Sequence, residues 1–412
     1  MRTHHSEPIV DRGFLKAGHA PTLLAAFLYF DVSFMVWVLL GPLGVAIAHD
    51  LHLNPGQKGL LVATPVLAGA AFRVLAGACV DLFGPYRTAI AAQLIVIVGL
   101  WLTWLLAPHS YAAMFSVALV LGVAGASFAI ALPLVSGWYP PRYQGTALGI
   151  AGAGNSGTAL ASLFAPGLAA LVGWVNVLGL ASVPLVIVLG IFLTFAREPA
   201  RRPNTDGIAS WWPVLRSADC WSLMLFYGVT FGGFVGLASF LTIYFNDQYG
   251  LSPAMAGACT AAIVFVGSFV RPLGGALADR IGGTQALTLL YAAAAAIYAV
   301  IAIGLPSIML AFPIFFLGMI VLGLGNGAVF QLVPTRFPHK VGILTGLVGM
   351  SGGVGGFYLA ASLGAARQAS GSYGPGFLAF AGIALVALVC VLFCKRRWTQ
   401  QPAPWGASEA AQ

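Results

Sequence analysis

The chain has 412 residues, of which 59% are hydrophobic and only 7% charged, and its formal net charge is +8. A soluble domain carries about a quarter of its residues as charged side chains, so a water-soluble enzyme or signalling domain is excluded at the outset. The basic excess would suit a nucleic-acid partner only if it were gathered on one face. It is scattered instead over short polar segments between long apolar runs.

Crossing about 30 Å of hydrocarbon takes a helix of roughly 20 mostly apolar residues. In chain order the sequence predicts spans over 21–48, 57–80, 87–107, 111–136, 144–171 and 174–196, and then, after a polar stretch, over 219–245, 253–278, 284–305, 308–334, 341–366 and 374–394. The expected fold class is an all-α membrane protein of twelve transmembrane helices. The corresponding divisions are an N-terminal segment 1–20, a six-helix bundle 21–196, a linker 197–218, a second six-helix bundle 219–394 and a tail 395–412. The first span is too long for a cleavable signal, so the polar N-terminal segment is expected to be retained.

Orientation follows from the 19 basic residues. Lys58 and Arg367 fall on one side of the spans and Arg73 and Arg271 within them; all the others fall on the side of the termini. Lys and Arg accumulate in cytoplasmic loops, which places both termini and the central linker in the cytoplasm of a bacterial inner membrane. The five cysteines, Cys79, Cys220, Cys259, Cys390 and Cys394, lie in spans or at their edges without metal-type spacing, and the seven histidines are terminal or near span edges. No metal, cofactor or catalytic cluster is expected.

The chain repeats itself. Arg73, Asp81 and Gly84 of the second span recur as Arg271, Asp279 and Gly282 of the eighth, at a constant offset of 198 residues, and Gly145, Gly149 and Gly152 recur as Gly342, Gly346 and Gly349 at 197. Two six-helix halves in parallel repeat are the plan of alternating-access carriers of the major facilitator type. The turn after the second span, with Gly77, Asp81, Gly84 and Arg87, matches that superfamily's Gly-x-x-x-Asp-x-x-Gly-x-x-basic loop, and Gly275, Asp279, Arg280 and Gly282 form a degenerate copy. Glycine permits the tight turn, while a carboxylate at a helix end can pair in a state-dependent way; Asp81 and Asp279 are gating candidates.

An arginine deep in a span is disfavoured by roughly 2.5 to 3.5 kcal/mol on insertion scales, yet two stand at equivalent positions. Arg73 and Arg271 lie about 16 and about 18 residues into their spans, too deep to snorkel at about 1.5 Å per residue. Planar guanidinium forks facing one midplane site suit a small oxyanion. The competing reading pairs each arginine with a buried carboxylate, but Asp31 is the sole acidic residue near mid-membrane, and one carboxylate cannot neutralise both.

The remaining marks are glycine-rich. The fifth span contains Gly152-Ala153-Gly154-Asn155-Ser156-Gly157, the eleventh carries Gly349, Gly352, Gly353, Gly355 and Gly356, and the seventh contains Tyr227-Gly228-Val229-Thr230-Phe231-Gly232-Gly233-Phe234. Most of these glycines suit close helix packing; Asn155 adds a polar amide among them. Together with Arg73 and Arg271, these segments resemble the nitrate/nitrite porter family of the major facilitator superfamily over the whole chain. The resemblance implies that Arg73 and Arg271 grip the oxygens of nitrate or nitrite, that Phe128 and Phe231 sandwich the planar ion, and that Tyr227 and Asn155 lie at the same site.

Coupling is left open between two schemes. Asp31 within the cavity could titrate and carry a proton, and the segment from Phe30 to Trp37 is similar to members associated with uptake, which implies nitrate/proton symport. Without proton carriage, exchange of nitrate for nitrite is equally self-consistent, and Asp31 would then tie neighbouring helices. A carrier of another small oxyanion or carboxylate would use the same arginines; a sensor would need an appended domain, and a channel would not need two rocking halves. The expected partners are the anion, a proton as coupling ion and the lipid bilayer, with a monomer as the working unit.

Overall fold

A computed structural model describes residues 13–199, 211–337 and 341–400. Twelve of its helices are long and apolar enough to cross a membrane: α1 (Ala20–Asp50), α2 (Pro55–Phe83), α3 (Pro85–Leu106), α4 (Tyr111–Ser136), α5 (Thr146–Val172), α6 (Trp174–Phe195), α7 (Ala218–Tyr249), α8 (Pro253–Ile281), α9 (Gly283–Ile303), α10 (Ile308–Arg336), α11 (Leu344–Ser370) and α12 (Gly374–Gln400). Number and order agree with the spans read from the sequence, while several ends run further. α12 extends to Gln400 rather than stopping at 394, because Lys395, Arg396 and Arg397 can lie along a helix that leaves the hydrocarbon. The linker 197–218 lies partly outside the described residues; within it, Trp211–Leu215 is a short helix. The N-terminal segment and the tail also lie largely outside them.

Local chemistry sets the ends. Asn54 opens α2 with a reciprocal capping box, its Oδ1 accepting from the Gln57 amide at 2.9 Å and the Asn54 amide donating to Gln57 Oε1 at 3.0 Å. Gly84 and Gly282, the repeated glycines of the two loop motifs, close α2 and α8 at φ +84° and +89°, a conformation that costs any other residue energy. The repeat is visible in packing too. A Cβ on Gly122 of α4 would meet Ala68 and Gly69 of α2, and one on Gly323 of α10 would meet Gly267 of α8, the Gly69 equivalent.

An even number of spans puts the described ends on one face, termed the terminal face. At the opposite, far face the halves are closed. Lys58 of α2 donates to both Asp247 oxygens of α7 at 3.1 and 3.0 Å, Tyr373 Oη donates to Asp247 Oδ2 at 2.9 Å, and the Gly56 amide donates to Gln368 Oε1 of α11 at 2.8 Å. The backbones touch below these bonds: a Cβ on Gly59 would lie 2.8 Å from Gly364 Cα, and one on Gly41 would lie 2.8 Å from Ser239 Cα. On the other side of the arginines, a Cβ on Gly149 of α5 or Gly346 of α11 would meet open space. The contacts between the halves that close the far face thus give way to open space beside these two glycines toward the terminal face.

The second half has its own base at that face. Asp219, fully buried at the start of α7, accepts Arg336 Nη2 of α10 at 2.7 Å and Trp398 Nε1 at 2.9 Å, and pairs with Arg397 Nη2 of α12 at 2.9 Å. Arg336 also lies 4.8 Å over the Trp398 ring. Counted with the loop residues from the sequence, Arg336 proves to be 6% exposed and structural.

Two outcomes follow from these bonds. Asp219→Asn leaves Arg336 without its counter-charge and is expected to cost roughly 3 kcal/mol, read as a drop of several degrees in the unfolding temperature of purified protein; an unchanged temperature would mean the cluster does not hold the helices. Lys58→Met removes a partly buried ion pair of about 1 kcal/mol, enough to raise the far-face-open population about fivefold. A cysteine replacing buried Ala63 in a cysteine-free background should then react about five times faster with an impermeant maleimide applied to the far face.

Candidate functional site

Helix breaks prepare the site. α4 is interrupted between the segments Tyr111–Gly125 and Phe128–Ser136, and there the Ala129 amide turns to the Ala126 carbonyl at 2.9 Å. Arg73 takes the Gly125 carbonyl so released, Nε to O at 3.1 Å, and its Nη1 donates to the Gly349 carbonyl of α11. Aromatic faces close the rest of the cage: the Arg73 Cζ lies 5.0 Å from the Trp37 ring, 5.4 Å from Phe231, 5.6 Å from Phe128 and 5.9 Å from Phe34. Trp37 is itself anchored on the Pro65 carbonyl at 2.8 Å. Arg73 is 2% exposed, and its Nη2 has no partner among the described residues.

Arg271 stands where α8 restarts after a break at Val270. Its Nη1 reaches the Gly152 carbonyl of α5 at 3.5 Å and its Nη2 the Tyr227 hydroxyl at 3.4 Å, with Phe231 6.0 Å from its Cζ. Each arginine thus crosses to a glycine carbonyl in the other half, Gly349 for Arg73 and Gly152 for Arg271, and these glycines are themselves repeat equivalents. The two anchors differ in strength. Arg73 is gripped and buried, whereas Arg271 is partly buried on bonds at the outer limit of hydrogen-bond length.

Phe231 stands against both guanidiniums, and Tyr227 stacks on it at 4.9 Å and 4°. Phe128 flanks Arg73, and Asn155 is fully buried one turn beyond Gly152 with neither Oδ1 nor Nδ2 partnered among the described residues. Arg73, Arg271, Phe128, Tyr227 and Phe231, all expected from the sequence, therefore meet in this cluster, and Asn155 lies on the segment that Arg271 touches. Sequence reasoning missed Phe330, edge-on to Tyr227 at 5.0 Å and 6.1 Å from Phe128, and the α1 cage residues Phe34 and Trp37. Phe30, Phe34 and Trp37 recur at the i, i+4, i+7 spacing of one helix face, a signal that could have found the α1 wall.

The glycines divide by use. At Gly352 a Cβ would come 2.6 Å from Phe231 and 2.9 Å from Tyr227; at Gly349 it would meet Phe128 at 3.4 Å, and at Gly353 Ala70 at 2.7 Å. Gly154 and Gly157 face α1, where a Cβ would meet the backbone of Asp31, while one on Gly152 would meet open space. Asp31 pairs with neither arginine: its Oδ1 accepts the Ser156 hydroxyl at 2.7 Å. Asp81 and Asp279 sit at the terminal-face ends of α2 and α8, away from the arginines, without an ion-pair partner among the described residues.

Two guanidinium forks, an unpartnered amide and aromatic walls in a buried setting have the chemistry to hold a small, flat, weakly hydrated anion between two helical bundles. The family model for the Major Facilitator Superfamily matches residues 23–360. The probable nitrate/nitrite transporter NarK2 of Mycobacterium tuberculosis is 33% identical over 378 residues, covering 90% of this chain and 95% of that one. The nitrite extrusion protein of Bacillus subtilis is 32% identical over 369 residues, covering 88% and 91%. A solved bacterial homologue of the human lysosomal transporter Spinster, inward-facing and occupied, superposes with a TM-score of 0.70 at 20% identity, covering 92% and 97%. The chain belongs to the nitrate/nitrite porter family of the Major Facilitator Superfamily and is a transporter, not an enzyme.

The contrast between two glycines checks the site. Gly352→Ala should displace the Tyr227–Phe231 stack and weaken oxyanion binding at least tenfold by calorimetry, while Gly152→Ala, whose added methyl meets nothing, should stay within twofold. Equal losses would mean the stack does not shape the site.

Proposed function

We propose that this chain exchanges nitrate for nitrite across a bacterial inner membrane by alternating access. The observation that carries the reading is the pair Arg73 and Arg271, one from each half, set against the common ring of Phe231. The free Nη2 of Arg73 and the free amide of Asn155 are donors for the oxygens, and Phe128 and Phe231 are apolar walls for the flat face. The names of the relatives, nitrate/nitrite transporter and nitrite extrusion protein, point to the same anions. The positive-inside pattern orients the terminal face to the cytoplasm, so the arrangement described is open to the cytoplasm and closed outside. One chain contains the whole site, so a monomer suffices.

The placement of charge supports exchange over symport. Occluding two guanidiniums without a counter-charge is unfavourable by several kcal/mol, whereas an anion between them relieves much of that. The one acid near mid-depth, Asp31, is held on Ser156 instead. With no carboxylate to stand in for the cargo, the empty site resists closing, and each half-cycle requires a bound anion.

The test is nitrate uptake into proteoliposomes. Internal nitrite is expected to accelerate uptake at least tenfold while an imposed inward proton gradient leaves it unchanged, and Arg73→Lys and Arg271→Lys should each lower the rate at least tenfold. Proton-driven uptake into anion-free vesicles would replace exchange by nitrate/proton symport; flux of formate or oxalate but not of nitrate would replace the substrate.

A further inference from the structure

The fifth span is broken at its centre. Helix Pro141–Gly152 gives way to a 3₁₀ turn, Ala153–Ser156, before helix Gly157–Val172 begins. The glycines there lower helix propensity by about 1 kcal/mol each, and the chain stays helical through the joint by tightening to 3₁₀ bonding, the Gly157 amide turning to the Gly154 carbonyl. Inside a membrane no water is at hand to satisfy a polar side chain at such a joint.

The joint is tied to another helix. The Asp31 carboxylate of α1 accepts the Ser156 hydroxyl at 2.7 Å, and Asp31 is 7% exposed. The bond fixes α1 against the residue that precedes a helix of 16 residues. The helices can approach that closely only because the facing residues are glycines: a Cβ on Gly157 would overlap the Asp31 carbonyl, and one on Gly154 would lie 3.0 Å from its amide nitrogen. Ser156 also reaches back to the Ala153 carbonyl at 2.9 Å, which adjoins Gly152, and the Gly152 carbonyl accepts Arg271 from the other half.

We propose that Asp31 is a positioning residue: bonded to Ser156 and packed against Gly154 and Gly157, it holds the 3₁₀ joint of the fifth span so that the Gly152 carbonyl keeps Arg271 in place for the anion. This deepens the functional reading above and rests on its arginine site. Arg271 is the loosely held member of the pair, so its orientation depends on the carbonyl it meets. Ser156 is the link through which Asp31 acts, and removing either end of that link disturbs the same joint.

Exchange is to be measured for wild type, Asp31→Asn, Ser156→Ala and the double variant, on whichever anion the wild type carries, so that a wrong substrate faults the functional reading alone. Asp31→Asn should raise KM about tenfold with kcat within twofold, Ser156→Ala should raise KM several-fold in the same way, and the double variant should be no worse than Asp31→Asn, because coupled residues are not additive. A proton gradient should leave all four unchanged. Asp31→Asn abolishing only proton-driven uptake at unchanged KM, or a silent Ser156→Ala, would overturn the proposal. Should Asp31→Asn fail to fold, the KM of Ser156→Ala decides alone.

Discussion

A guanidinium buried in a membrane is the constraint around which the rest of this molecule is arranged. Arg73 cannot shed its proton at any physiological pH and cannot reach water, so its environment has to supply what a carboxylate would supply in a soluble protein. It does so with two backbone carbonyls, Gly125 and Gly349, and four aromatic faces. A regular α-helix uses its carbonyls internally, and the Gly125 carbonyl is available because α4 is interrupted beside it. The helix break in α4 is thus part of what holds Arg73 and not a defect around it.

The same constraint explains how much was legible in the sequence. Twelve spans, two halves and the arginine pair could be read because each depends on residue type at a spacing: apolar run length, the constant offset of Arg73 and Arg271, and the positive-φ glycines Gly84 and Gly282. The cage was less legible. Phe330 is one of 27 phenylalanines in an apolar chain, and nothing in its neighbours separates a site wall from ordinary packing. The carbonyl of Gly125 carries no sequence signal at all, since every residue has one. Arg336 sits at a span end where loop arginines are expected, and only its contact with Asp219, more than a hundred residues away in the chain, makes it structural.

The halves repeat in sequence but not in mechanics. In the first half, Arg73 is enclosed and its partners are short-range and numerous. In the second, Arg271 hangs on long bonds to Gly152 and Tyr227, while the terminal-face end of that half is clamped by the Asp219 cluster, which has no counterpart at the equivalent positions Pro21 and Trp138 of the first. On the proposed function, a fixed cation and an adjustable one facing across an interface would clamp a moving anion better than two fixed ones: the adjustable arm would follow the ion as the halves rock, and the fixed arm would define where it rests.

The placement of the acids completes that logic. Asp31 is engaged on Ser156, Asp219 on Arg336 and Arg397, and Asp247 on Lys58; none of the three neutralises Arg73 or Arg271. Each holds helices together at mid-depth, at the terminal face or at the far face. Among the described residues no acid is bonded to Arg73 or Arg271, and on the proposed function the cargo anion compensates their charge. On the exchange reading, coupling then needs no proton-carrying residue: the carrier closes readily only when loaded, and a second anion has to bring it back.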